Sequence, residues 1–235
     1  DLLPLWVADM DFLSPPEITD ALMERDKHGL FGYTLPSEGY YNSILNWLDR
    51  RHNYKVDQSE LTFVPGVVKG FAFAMDAFTN EGDAVIIQPP VYHPFNLVTK
   101  ALKRKVVNNP LLFEDGKYKM DFVDLQNKIK ESGAKMLIFC SPHNPVGRVW
   151  SKEELTKLAD ICYDNNVLVV SDEIHSDFAL FGNVHLPFAT VSQKARDNSI
   201  TLMAPSKTFN IAGIVSSFAV IHNKDIQEKY LSFLS

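Results

Sequence analysis

The stretch MLIFCSPHNPVGRVWSKEELTKLADICYDNNVLVVSDEIH, from Met136 to His175, decides the fold. Met136 to Cys140 and Val167 to Ser171 are short runs that are apolar or β-branched almost throughout, and they predict strands buried on both faces. Between them, Ser151 followed three residues later by Glu154 is a capping-box start, and Leu155, Leu158, Ala159 and Ile161 continue at helical spacing. Strand, helix and strand in this order make a βαβ unit with parallel strands.

The pattern extends outward on both sides. Ala84 to Gln88, Ile200 to Met203 and Val215 to Ile221 are further candidate strands, and Val67, Phe71, Ala74, Met75 and Phe78 fall on one helical stripe. The expected fold is α/β, with a mostly parallel central sheet flanked by helices. Pro89-Pro90, Pro142, Pro145 and Gly147 punctuate strand ends, where open parallel sheets collect their ligands.

Composition narrows the classes. The chain has 235 residues, 46% hydrophobic and 22% charged, enough to bury the core of one domain or one and a fraction. A net charge of −6 and dispersed Lys and Arg argue against a nucleic-acid partner; the small cluster Lys100, Lys103, Arg104 and Lys105 reads as an exposed helix end. Two cysteines, Cys140 and Cys162, exclude a disulfide framework or a four-thiolate zinc site and fit a reducing, cytoplasmic setting. No apolar stretch has bilayer-spanning length, so no membrane partner is expected. The chain opens without a leader or a methionine, in the apolar run Leu2 to Val7, and reads as a piece of a longer protein.

Chemistry concentrates after three strands. Ser141 to Arg148 follows the first, Asp172-Glu173-Ile174-His175 the second and Ser206-Lys207 the third, offering an amide (Asn144), a carboxylate (Asp172) and an amine (Lys207). Singly, each has an ordinary reading: Asn144 before proline forms turns, Asp172 caps the next segment, and Glu173 with His175 makes a weak metal pair lacking a third ligand. Together they meet the needs of pyridoxal phosphate, which takes a lysine for its Schiff base, an acid at the pyridinium nitrogen, a donor at the phenolic oxygen, a flat group on the ring and a phosphate cradle.

The arrangement Asn144-Pro145-Val146-Gly147, Asp172-Glu173 and Ser206-Lys207, with Gly213 six residues on, resembles the fold-type I pyridoxal-phosphate enzymes of the class I/II aminotransferase superfamily over nearly the whole chain. The resemblance implies that Lys207 holds the cofactor and shuttles the α-proton, Asp172 keeps the ring nitrogen protonated, Asn144 donates to the ring oxygen and Tyr92 stacks on the ring. Gly66-Val67-Val68 opens a helix whose amides, at Val67 and Val68, suit the phosphate, with the Ser206 hydroxyl beside them. No metal is implied.

Departures from the commoner aminotransferases narrow the resemblance. His175 stands where they carry a tyrosine, and Val215 where they carry a phosphate-binding arginine. Both changes resemble the MalY/PatB-type branch of carbon–sulfur β-lyases. So do Ala8-Asp9-Met10-Asp11-Phe12, Gly29-Leu30-Phe31-Gly32-Tyr33, Asp172 to Asp177 and Ser206-Lys207-Thr208-Phe209-Asn210. That branch implies cleavage of a small sulfur amino acid, cystathionine or cysteine, in a homodimer where Tyr33 reaches the neighbouring subunit's phosphate. It also implies a division of the chain: residues 1–30 as a small-domain segment, 31–235 as the cofactor-binding large domain, and the rest of the small domain, with its carboxylate-binding arginine, absent. Arg148 reads as structural. Transamination shares every step up to loss of the α-proton, and a non-catalytic, cofactor-binding regulatory protein or truncated inactive fragment would share the same pocket.

Overall fold

The computed structural model describes residues 8–233; the apolar run Leu2 to Val7 lies outside them. Eight helices occur among these residues: α1 (Pro16–His28), α2 (Glu38–His52), α3 (Val67–Phe78), α4 (Pro94–Ala101), α5 (Phe122–Ser132), α6 (Lys152–Asp164), α7 (Gln193–Asp197) and α8 (Lys224–Leu231). The strands are β1 (Leu61–Val64), β2 (Ala84–Ile87), β3 (Lys105–Asn108), β4 (Leu112–Glu114), β5 (Lys117–Lys119), β6 (Met136–Cys140), β7 (Leu168–Asp172), β8 (Ser199–Met203) and β9 (Ser217–Val220). Seven of them form one sheet in the order β1-β9-β8-β7-β6-β2-β3, and β4 with β5 makes a separate hairpin. Only β9 runs against its neighbours; β3, β2, β6, β7 and β8 are mutually parallel.

Side-chain alternation sorts the strands among three cores, one of them built by Leu61, Met203, Phe218 and Val220 with Leu48 of α2. Ala84, Ile86, Leu137, Phe139 and Val169 pack with α5 and α6 on one face. Val85, Ile87, Met136, Ile138, Val170 and Leu202 pack with α3, α4 and α8 on the other. Burial on both faces is why these runs lack a polar alternation. The helical stripe is borne out, with Val67, Phe71, Ala74 and Met75 of α3 all buried. So is the capping box: Ser151 Oγ accepts from Glu154 N at 3.2 Å, and Glu154 Oε2 accepts from Ser151 N at 2.8 Å.

Two expectations change. The basic cluster is not an exposed helix end, because only Lys100 lies in α4 and the Arg104 side chain, 8% exposed, turns inward. Its guanidinium donates to Thr79 O at 2.7 Å and Thr79 Oγ1 at 2.9 Å and pairs with Asp76 at 3.0 Å, satisfying the carboxyl end of α3. The last predicted strand is shorter, since Val215 and Ser216 precede β9 and line a cleft.

Candidate active site

The strand order places five connections at one edge of the sheet. β1, β2, β6, β7 and β8 all end there and β9 begins there, so the segments after them surround a cleft of about 890 Å³. Lys207, Asp172, Asn144, Tyr92, His175, Ser206, Val67 and Val68 all line it. Of the candidate site residues, only Tyr33 does not. It is fully exposed, on the segment between α1 and α2.

The two cleft loops carrying Tyr92 and Asn144 are tied by a backbone bond, Tyr92 N to Asn144 O at 3.1 Å. Asn144 N in turn donates to Cys140 Sγ at 3.2 Å, folding its loop back on the end of β6. Arg148, on the outer arm, makes a two-pronged contact with Glu154 at 2.6 and 2.7 Å and lies over Trp150, 4.7 Å from the ring centroid. That arrangement braces the loop against α6.

Asp172 ends β7 with its side chain buried. Burial pushes its carboxyl up to about 7, with a smaller push from Glu173, against a single backbone donor, Ile174 N at 3.2 Å. A buried acid so sparsely bonded suits a cationic partner. Burial, and then the Asp172 charge, raise the Tyr92 phenol, so it keeps its proton at neutral pH. Burial and the nearby Lys207 charge hold the His175 imidazole below its ordinary range, so it is neutral there.

The weak metal pair dissolves. Glu173 turns away from the cleft into the core, where Oε1 accepts from Ser171 Oγ at 2.8 Å and Phe188 N at 2.9 Å, and Oε2 meets His185 Nε2 at 2.7 Å. Among the described residues no group of three His, Cys, Asp or Glu is placed to hold a metal.

Helix α3 starts at the cleft without a side-chain cap. Its N-cap Gly66 has φ 107° and ψ 140°, a conformation that disfavours a side chain. Gly66 N is held by Ser217 Oγ at 2.8 Å, while no acidic residue occupies the first turn. The amides of Val67 and Val68 therefore face an anion-ready space.

Asp177, Thr208 and Asn210 lie in segments that carry the family resemblance, but no local pattern assigns them a role. Asn210 Nδ2 donates to Met10 O at 2.9 Å and Phe12 O at 2.8 Å, and its Oδ1 accepts from Met10 N at 3.1 Å. The Ala8 to Phe12 segment is thereby stitched to the Lys207 loop. His143, buried beside Asn144 and edge-on to Trp150, also lines the cleft.

A lysine and a buried acid lining one cleft beyond adjacent strands of a mostly parallel seven-stranded sheet define an α/β protein of the pyridoxal-phosphate-dependent transferase fold. The chain belongs to the aminotransferase class I and II family, which matches residues 1–233. It is 47% identical over 234 residues to the cystathionine β-lyase PatB of Bacillus subtilis (strain 168), covering 100% of this chain and 60% of that protein. Protein MalY of Escherichia coli (strain K12) is 32% identical over 235 residues, with the same coverage. The crystal structure of cystalysin from Treponema denticola, which contains a pyridoxal 5′-phosphate cofactor, superposes with a TM-score of 0.95 at 41% identity, covering 99% of this chain and 59% of that one. The chain spans 60% of the length of the curated relatives it matches.

Proposed function

We propose that this chain carries the cofactor site of a pyridoxal 5′-phosphate-dependent β-lyase that cleaves cystathionine, cysteine or a related S-substituted cysteine to pyruvate, ammonia and a thiol. The observation that carries this reading is the one cleft in which Lys207, Asp172, Asn144 and Tyr92 meet the uncapped start of α3. The 47% identity to PatB favours a lyase over transamination.

The donor set fits the cofactor: an amine, a buried acid without a cation, free amides at a helix start and room for a ring. Bound there, pyridoxal phosphate supplies an electron sink for the pair left at Cα. Lys207 would be the attachment point for the cofactor aldehyde and, once free, the base that takes the Cα proton, the electron pair left at Cα then expelling the thiolate from Cβ. Asp172 holds the proton on the ring nitrogen. Asn144 would donate to the ring oxygen and Tyr92 would cover the ring face, with neutral His175 also lining the cleft. Val67 N, Val68 N and the Ser206 hydroxyl would hold the phosphate, while the apolar cleft residues Val149, Ile174 and Ile214 would exclude water.

Residues 1–30 are assigned to a small domain, a reading supported by α1, which buries none of its residues here. A second copy covering the exposed segment around Tyr33, and placing that phenol at the neighbouring phosphate, completes the site as a homodimer. Two buried free thiols support a cytoplasmic setting, and no helix among the described residues is long and apolar enough to cross a membrane.

The test is incubation of the full-length protein with pyridoxal phosphate and cystathionine, following the visible cofactor band, pyruvate and free thiol. The expected result is pyruvate without a keto-acid acceptor, and loss of both band and product in Lys207→Ala. Strict dependence on an acceptor would overturn the lyase assignment in favour of transamination. A band without either product would mark a binding protein.

A further inference from the structure

Lys207 lies in a segment of turns, Ala204 to Gly213, yet its amine must meet groups carried by the adjacent strand end. The ladder between β7 and β8 stops at Asp172 and Leu202, and one more backbone bond, Glu173 N to Leu202 O at 2.9 Å, ends the main-chain pairing. Beyond it, among the described residues, a single hydrogen bond joins the two loops: Thr208 Oγ1 donates to Asp177 Oδ2 at 2.7 Å.

The Asp177 carboxylate is itself held from α2. Trp47 Nε1 donates to Oδ2 at 3.3 Å, while His52 Nε2 lies 3.2 Å and Arg51 Nε 3.7 Å from Oδ1. Burial works to raise this carboxyl, but the nearby His52 imidazole and the hydrogen bonds from Thr208 and Trp47 outweigh it and keep it charged at neutral pH. Phe209 packs edge-on against Trp47, with centroids 5.4 Å apart. One side chain therefore links the loop bearing Asp172 and His175, the residue next to Lys207, and a helix of the scaffold. Asp177 does not line the cofactor cleft.

We propose that Asp177 is a positioning residue for Lys207, acting through the Thr208 hydroxyl to fix where the amine stands relative to Asp172 and His175. The proposal rests on the cofactor reading above. Its physical basis is that an amine serving first as the attachment point and then as the base must keep one geometry, and a displacement near 1 Å costs up to ~100-fold in rate. A charge-assisted bond from a hydroxyl to a buried carboxylate provides that rigidity where no backbone ladder does.

Thr208→Val removes the donor at nearly constant volume, and Thr208→Ser keeps it. The full-length protein is assayed for kcat and KM with cystathionine, for the rate at which the cofactor band develops after pyridoxal phosphate is added, and for the unfolding midpoint of the cofactor-free form. Thr208→Val is expected to lower kcat by ~10-fold or more with KM changed less than ~3-fold, and to slow band formation comparably. Its unfolding midpoint stays near that of the wild type, and Thr208→Ser stays within ~2-fold on both rates. Asp177→Ala matches Thr208→Val, and the double variant is no worse than either single one, as expected for two parts of one device; if Asp177→Ala does not fold, the Thr208 pair decides alone. Unchanged kcat and band formation in Thr208→Val, or a serine variant as impaired as the valine one, would overturn the proposal. So would a loss that tracks a lowered unfolding midpoint, which marks a structural role. A wild-type protein that forms no band overturns the cofactor reading itself, and the positioning role with it.

Discussion

At the scale of single residues, the telling group is Asp172, an acid whose ordinary range is near 3.8 and which burial lifts to about 7. Between those values the folded, cofactor-free chain keeps a proton that the unfolded chain has lost, so this group makes stability fall as pH rises from about 4 to about 7. The loss over that window is at most ~4 kcal/mol. Denaturant titrations of the cofactor-free protein at pH 5 and pH 7.5 should show that slope, and Asp172→Asn should flatten it; an identical slope in the variant would contradict the assignment. Added cofactor should reverse the trend for the wild type, because a protonated ring nitrogen favours the carboxylate. The strand-end positions of Lys207, Asp172 and Asn144 were legible in the sequence from the apolar runs and prolines beside them, whereas the roles proposed for them, and the choice of Tyr92, rest on the family resemblance of their motifs. The direction of Glu173 was not: nothing local distinguishes an acid facing the cleft from one turned inward to His185 and Phe188 N.

At the scale of elements, α3 matters most, because its first turn is the proposed phosphate cradle and its body must lie flat on the sheet. Gly70 makes that approach possible: a Cβ there would stand 2.8 Å from Leu202 Cδ2 and 3.2 Å from Val64 Cγ1. Gly70→Ala gains ~1 kcal/mol of helix propensity and overpacks the contact at a cost of ~1 to 3 kcal/mol. The expected outcome is a net destabilisation of ~1 kcal/mol with weaker cofactor binding, because relief of the clash lifts the helix start; calorimetric unfolding and a cofactor titration would check both. The helix was readable from its stripe, and β6 and β7 from their runs. Strand β1, with its one exposed residue Phe63, and the partly exposed edge strand β3 carry too little periodicity in their short patterns to be legible in the sequence.

At the scale of the whole molecule, the exposed apolar side chains Phe12, Leu30, Phe31, Tyr33 and Leu35 lie along the amino-terminal third. A second copy over this surface is the proposed arrangement, and hybrid dimers test it. Tyr33→Ala and Lys207→Ala would each impair both sites of their own dimer, whereas a hybrid has one site with both changes and one with neither. Mixing the two under exchange should restore roughly a quarter of wild-type pyruvate formation by random pairing. No recovery above the sum of the separate variants would exclude a shared site.

The sequence by itself determined the layer architecture and the cofactor chemistry, because buried parallel strands impose apolar runs and the cofactor demands particular groups at their ends. Tertiary structure alone decided that Arg104 turns inward to close α3, that β9 reverses beside β8, and that Asp177 grips Thr208 across 31 residues of chain. The reason is physical: strand and helix patterns are written in neighbours a few positions apart. A hydrogen bond between two loops depends on where separate elements come to rest, and no local pattern encodes that.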